Sequence, residues 1–185
     1  MLVRSALLAG ATLLAGTAAF GADPVGTWDL VGRIKATVCA RGSCKSRHQH
    51  DEGTLVIAAD GTYTAPSDVS GCAAPDEHGR WVGRTGGQYI LKPSNVGALV
   101  RAIESCLGVS GVTLHGRFHN VFVPNADGTT ATARNAFRGG GSYHGVAFMV
   151  TATERYTGTR VFGSAGAFGA SRGGVIAGLV ENVLP

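Results

Sequence analysis

The sequence predicts an all-β protein, an antiparallel up-and-down barrel of about eight strands with one inserted helix. Apolar and polar residues alternate from Trp28 to Val38, which is the pattern of a half-buried strand. Two pairs, Asp60-Gly61 and Gly86-Gly87, are typical of tight hairpin turns. One segment alone changes to a helical period. Because short connections favour antiparallel neighbours, the strands close most simply into a barrel, with a sandwich as the alternative.

The first half of the chain supplies the early strands. After Val38 comes the polar stretch "RGSCKSRHQHDE", and then "TLVIAADGTYT", which predicts two strands joined at Asp60-Gly61. A loop, "GCAAPDEHG", leads to "RWVGRTGGQYILK", a second hairpin with Gly86-Gly87 in its turn. The adjacent acids Asp76 and Glu77 are interpreted as solvated residues of that loop.

The helix is predicted over residues 95–107. Val96, Leu99, Val100, Ile103 and Leu107 recur at the spacing of one helical face. Ser94 or Asn95 can cap its start and Gly108 its end. Two longer strands, "GVTLHGRFHNVFV" and "TTATARNAF", then meet at a turn over residues 125–128, and a last strand runs over residues 143–160.

The chain ends indicate an exported protein. Arg4, an apolar run over residues 6–15 and the small residues around Ala19-Phe20-Gly21 are typical of a secretory signal peptide. We therefore expect a periplasmic or secreted protein with cleavage after Gly21. The predicted division is a signal peptide at 1–21, a barrel domain at 22–160 and a Gly/Ala-rich C-terminal tail at 161–185.

Composition excludes several classes of partner. No stretch after the signal has the roughly 18 uninterrupted apolar residues of a membrane-spanning helix. Outward residues such as Asp29, Arg33 and His115 also disfavour an outer-membrane barrel, so we expect no membrane-spanning protein. The formal net charge is +4 and the basic residues are scattered along the chain, which disfavours nucleic acid as a partner.

Four cysteines in an exported chain predict two disulfides. Cys39 and Cys44 flank the short loop "ARGS" and can bridge locally, which leaves Cys72 to pair with Cys106. The second bridge would tie the last turn of the helix to the loop before the second hairpin. A zinc site is the alternative, but the spacing lacks the usual paired C-x2-C motifs.

Two residues link the chain to a known family. "GTW" near the start of the domain places Trp28 on the first strand, and "YTGTR" places Arg160 at the end of the last. With the predicted strands, these motifs resemble the lipocalin-like, or calycin, superfamily. The resemblance implies that Trp28 packs at the closed end of the barrel with Arg160 across its ring, a structural barrel closure. Arg155 is the alternative partner if the strand is shifted.

No catalytic set emerges from the sequence, and we predict a protein that is not an enzyme and has no cofactor. It contains neither a G-x-S-x-G nor an H-E-x-x-H motif, and oxidised cysteines cannot act as nucleophiles. His48 and His50 are a low-probability alternative metal site. His115 and His119 lie about 13 Å apart along a strand, too far to share one ion.

The predicted function is an exported lipocalin-like barrel that binds a small apolar ligand. The alternative is a non-enzymatic interaction protein, such as a protease inhibitor or envelope factor, with a filled barrel acting through its loops. The partner is accordingly a small hydrophobic molecule or an unknown protein. The candidate ligand-lining residues are the inward-facing Gly32, Ile34, Ala36, Gly116, Phe118, Phe148 and Ala152.

Overall fold

A computed structural model describes residues 22–65, 68–69, 72–73, 75–106 and 111–162, with the backbone alone for 68–69, 72–73, 103 and 106. Eight antiparallel strands close a barrel in the order β1-β10-β9-β8-β7-β6-β3-β2. Every barrel strand therefore pairs with its sequence neighbours, as the predicted up-and-down topology requires. The strands are β1 Gly26–Ala40, β2 Ser43–Ile57, β3 Thr62–Ala65, β6 Glu77–Arg84, β7 Gln88–Pro93, β8 Val112–Pro124, β9 Thr130–Tyr143 and β10 Val146–Val161, with β4 Asp68–Val69 and β5 Cys72–Ala73 forming a separate pair.

The predicted turns and helix are confirmed. Gly61, Gly86 and Gly87 all have positive φ angles in the turns that end β2 and β6. At the first turn the Asp60 carboxylate accepts hydrogen bonds from the backbone N–H and the hydroxyl of Thr62, at 2.9 and 2.6 Å. The single helix of the described chain, α1, spans Val96–Cys106, within one residue of the predicted bounds.

Strand β2 is longer than the sequence pattern indicated. The polar stretch after Cys39 is not a loop, because β2 begins at Ser43 and pairs with β1 along its whole length. The turn between them is Arg41-Gly42, and both residues have positive φ, which matches the twist of a two-residue hairpin. His144-Gly145 makes an equivalent turn between β9 and β10.

One predicted disulfide is confirmed. Cys39 and Cys44 are opposite residues of β1 and β2, and their sulfur atoms are bonded. The side chains of Cys72 and Cys106 lie outside the described residues, so their bridge stays a prediction. The backbone is consistent with it, because β5, which starts at Cys72, packs beside α1, which ends at Cys106.

Trp28 closes one end of the barrel. Its side chain is fully buried against the edge of Phe122, with the ring centroids 5.0 Å apart. Its indole N–H donates a hydrogen bond to the Pro24 carbonyl at 2.8 Å. The Arg160 guanidinium lies 4.7 Å from the centre of the indole ring and donates to the Asp23 carbonyl. The cation at the indole ring is therefore Arg160 and not Arg155. The side chains of Trp28 and Arg160 together hold the N-terminal segment across this end of the barrel.

The helix covers the other end. Leu99 and Val100 are buried, and Val100 packs into the apolar cluster formed by the far halves of β1, β9 and β10. The Glu104 carboxylate accepts a hydrogen bond from the Leu114 backbone N–H and so ties α1 to β8. The Asn95 side chain donates to the Asp76 carbonyl at 2.8 Å, which anchors the start of the helix to the segment before β6.

Residues 1–21 and 163–185 are not described, so the signal peptide and nearly all of the C-terminal tail remain predictions. Within the described ranges, no helix combines the length and the apolar character needed to cross a membrane.

Candidate functional site

The barrel interior contains a layer of polar side chains between two apolar clusters. Along β8, β9 and β10, the inward-facing residues change from one cluster to the other at a single position, occupied by Asn120, Asn135 or Glu154. All three of these residues are polar. We use the name polar layer for seven buried side chains at this level: Asp51, Tyr63, Glu77, Asn120, Asn135, Glu154 and Tyr156.

The strand register brings the members of the polar layer together. Asn120 on β8 is directly opposite Asn135 on β9, which is directly opposite Glu154 on β10. Asp51 and Tyr156 are both opposite Gly32, one from each side. Residues that are distant in sequence therefore share one level of the barrel, because side chains directly opposite each other in antiparallel strands project to the same face.

One half of the polar layer joins two carboxylates through a tyrosine. The Tyr156 hydroxyl donates a hydrogen bond to the Asp51 carboxylate and lies 3.2 Å from Oε2 of Glu154. The Asn135 amide donates to the same Glu154 oxygen at 2.9 Å. These contacts join side chains of β2, β9 and β10 and fix the orientation of the Asp51 and Glu154 carboxylates.

The other half is built around Glu77. Its Oε1 accepts hydrogen bonds from the Tyr63 hydroxyl at 2.9 Å and from the Asn120 amide at 2.8 Å. The side-chain oxygen of Asn120, by contrast, accepts no hydrogen bond from any residue that the structure describes. Asn120 is only 1% exposed, so bulk water does not compensate for the missing bond. A buried acceptor in this state costs about 1–3 kcal/mol.

The chemistry of the polar layer is that of a hydrogen-bond acceptor. Its carboxylates, at Asp51, Glu77 and Glu154, are all at least nine-tenths buried. The carboxyl oxygens accept hydrogen bonds, and burying such polar atoms is unfavourable unless they have hydrogen-bond partners. An amine or a hydroxyl placed at this level would meet oxygen atoms that are already oriented.

The hydrogen-bond ladder is short beside this layer. Among the described residues, β2 pairs with β3 only at Val56 and Ile57. Asp51 lies further along β2, where the described residues that pair with this strand belong to β1.

Most of the predicted ligand-lining residues face the interior, but the chain itself occupies the space beside the two glycines. Ile34, Ala36, Phe148 and Ala152 are buried, and Phe118 is partly buried against the cluster of the helical end. A Cβ atom on Gly116 would lie 2.5 Å from the Phe137 ring, and one on Gly32 would overlap the Arg155 carbonyl oxygen and lie 2.6 Å from the Tyr156 ring. Aromatic rings and the neighbouring backbone therefore occupy the space that these glycines were expected to leave.

The same arrangement explains the glycine-rich end of β9. The sequence pattern ended this strand at Phe137, whereas it continues to Tyr143. A Cβ on Gly139 would lie 2.5 Å from the His115 carbonyl oxygen and 2.7 Å from the Phe137 ring, and one on Gly141 would overlap the Thr113 carbonyl oxygen and lie 2.8 Å from the Phe148 ring. Glycine at these inward positions makes room for the β8 backbone and for the two rings, so its role here is close packing rather than a turn.

The histidines form no metal site with the residues described. His48 and His50 lie on the outer face of β2, directly opposite Lys35 and Arg33 on β1. In the described part of the chain, no three His, Cys, Asp or Glu side chains are arranged to hold an ion. The neighbouring cations also oppose metal binding at this pair by electrostatic repulsion.

The polar layer was not identified from the sequence, although a signal was present. Glu154 and Tyr156 share the even spacing of Phe148, Val150 and Ala152, the same spacing that placed Arg160. Applied to every residue of the strand, this parity turns both polar side chains inward. Glu77 was assigned to a solvated loop, whereas it is the first residue of β6 and is 2% exposed.

Comparison with known proteins adds no family assignment. No protein-family model matches the chain, and no curated protein matches it. Among solved structures, the crystal structure of the ywiB protein from Bacillus subtilis aligns over 74% of this chain and 94% of its own, at 8% identity and a TM-score of 0.27. A likeness of this degree carries no functional argument.

Proposed function

We propose that the protein is an exported, lipocalin-like barrel that binds a small molecule, and that the ligand is held by hydrogen bonds to the polar layer. The sequence pattern predicts an apolar ligand, whereas the polar layer favours a ligand that joins an apolar body to a donor group such as an amine or a hydroxyl. Eight-stranded barrels are wide enough for one small ligand. Apolar clusters on both sides of the layer suit such a body.

The observation that carries the proposal is the unpartnered oxygen of Asn120. It belongs to a side chain that is 1% exposed and whose amide nitrogen is already bound to Glu77. A donor group of a ligand would satisfy this oxygen and recover the free energy that its burial costs.

The test uses three probes of equal chain length. Octylamine and octanol carry donor groups, whereas octanoate offers only acceptors at neutral pH. We expect the first two to raise the melting temperature, by about 5–10 °C at a hundredfold excess over Kd. Octanoate should leave it unchanged. Equal shifts with all three probes, or no shift with any, would overturn the proposal.

A pair of amide-to-leucine variants locates the site. Asn120→Leu removes the unpartnered oxygen, and we expect it to weaken octylamine binding at least tenfold. Gln88→Leu makes the same kind of change at an exposed position on β7 and should bind the probe as the parent protein does. Unfolding curves without the probe establish that both variants are folded. Unchanged octylamine binding by folded Asn120→Leu would place the ligand elsewhere.

The aromatic rings packed beside the inward-facing glycines favour a second function. The rings of Phe137, Phe148 and Tyr156 occupy space that a wide ligand cavity would need. This packing supports a non-enzymatic interaction protein, such as a protease inhibitor or envelope factor, that acts through its surface. Native mass spectrometry of protein from its own compartment distinguishes the two functions. A bound small molecule supports the binding barrel, and the bare chain together with failure of all three probes supports the interaction protein.

A further inference from the structure

The outer face of the barrel has a row of basic side chains, three arginines and one histidine, that the scattered sequence positions do not reveal. His50, Arg33, Arg155 and Arg134 are consecutive cross-strand partners on β2, β1, β10 and β9. All four side chains are exposed. We use the name cationic row for these four residues. It lies on the opposite side of the barrel wall from the polar layer, because Arg155 separates the inward-facing Glu154 and Tyr156.

Repulsion within the cationic row is not relieved by acids. Arg155 has Arg33 on one side and Arg134 on the other, and like charges directly opposite each other destabilise a sheet. None of the three arginines forms an ion pair or hydrogen bond with any described residue. Stability of the fold gives no reason for this arrangement, whereas an anionic partner would convert the repulsion into binding.

Two surface grooves meet at the centre of the row. One, of about 530 Å³, is lined by Arg134 and Arg155, by Thr132 and Thr153, and by Glu154, whose carboxylate is bonded inside the barrel. The other, of about 570 Å³, is lined by Arg33, Arg155 and Thr153. Arginine suits anions because its planar guanidinium binds carboxylate or sulfate through two parallel hydrogen bonds. The threonine hydroxyls offer partners for neutral hydroxyl groups between the charges.

We propose that this face binds an acidic polysaccharide, a flexible chain of sugars bearing carboxylate or sulfate groups. The cationic row covers four of the eight strands and so follows about half of the barrel's circumference. A flat membrane cannot contact both ends of such a curved row, whereas a flexible chain can follow it. None of the four residues is Phe, Tyr or Trp, so the row lacks the large aromatic platform on which the bases of single-stranded nucleic acid stack.

The test measures binding of fluorescent oligogalacturonate and heparin fragments. We expect at least one to bind, with an affinity that falls as salt is added, because the contacts are between exposed charges. Arg134→Gln/Arg155→Gln should raise Kd at least tenfold. The control Arg80→Gln/Arg84→Gln removes the same net charge from exposed positions on β6 and should change Kd by no more than about twofold.

Each remaining outcome overturns the inference. Equal weakening in both double variants would show that net charge alone attracts the polymer. Binding of polyglutamate, oligo-dT or anionic phospholipid vesicles as tightly as the sugars would assign the face to a peptide, a nucleic acid or a membrane. Failure of both sugar polymers would remove the proposal outright. The octylamine assay is independent of these results, because its site lies inside the barrel.

Discussion

Replacing Gly116 by alanine tests whether aromatic rings fill the barrel. The added Cβ would lie 2.5 Å from two carbons of the Phe137 ring and 2.9 Å from the Arg138 carbonyl oxygen. The ring cannot withdraw easily, because it is 5% exposed, packs 4.9 Å from the Phe118 ring and is also confined by Gly139. Overpacking of this kind costs about 1–3 kcal/mol, so we expect Gly116→Ala to lower the free energy of unfolding by that amount.

A control and a rescue variant make the Gly116 prediction specific. At Gly140 on β9 the nearest atom to an added Cβ is the Phe148 carbonyl oxygen at 3.5 Å, an ordinary contact. Gly140→Ala should therefore be neutral or stabilising by up to about 1 kcal/mol. Phe137→Leu shortens the obstructing ring, so the double variant with Gly116→Ala should lose less stability than the sum of the single variants.

Urea unfolding followed by tryptophan fluorescence measures the stability of the four variants and of the parent protein. We expect a coupling free energy of about 1–2 kcal/mol between positions 116 and 137, well above the roughly 0.3–0.5 kcal/mol scatter of independent sites. Equal stability of Gly116→Ala and Gly140→Ala would refute the reasoning. So would additive effects at the two positions, because the ring would then not occupy the space beside Gly116.

Two further predictions concern the closed end and a turn. Trp28→Ala should lower the free energy of unfolding, measured in urea, by about 3–5 kcal/mol. Trp81→Ala should lower it by less, because Trp28 is fully buried and Trp81 only partly. Equal losses in the two variants would mean that Trp28 is not the main anchor of the core. The backbone N–H groups of Thr129 and Thr130 hold the pKa of Asp127 below its ordinary value of 3.8. The ionised form therefore stabilises the fold above pH 3.8, and this contribution is lost as the pH falls through the lowered pKa. A carboxyl NMR titration of Asp127 with its midpoint at or above 3.8 would contradict this.

Local patterns in the sequence predicted the frame of the barrel. The turn glycines, the helical spacing of Val96, Leu99 and Val100, and the alternation along β1 each depend on neighbouring residues and are visible in a single segment. The polar half of β2 was missed because its inward-facing positions include Lys45 and Arg47, which are exposed and give no apolar alternation. A strand held mainly by backbone pairing needs no apolar face, so its sequence resembles that of a loop.

The polar layer and the cationic row depend instead on strand register. Asn120, Asn135 and Glu154 come from three strands, and only their pairing shows that they are direct neighbours. The same holds for Arg33, Arg134 and Arg155, which are far apart in sequence and adjacent on the surface. A one-residue change of register would turn every side chain of a strand to the other face, so neither site can be derived from composition.

The pairing of β1 with β10 has a consequence for how the protein folds. The first and last barrel strands are partners over nearly their whole length, from Thr27 with Val161 to Ala40 with Phe148. Contacts between distant parts of a chain form slowly, because a large loop must close before they contribute. During synthesis, one edge of β1 stays exposed until the final strand has emerged, and open strand edges promote association with other chains. The closing step therefore governs both the folding rate and the period in which the chain is prone to aggregate.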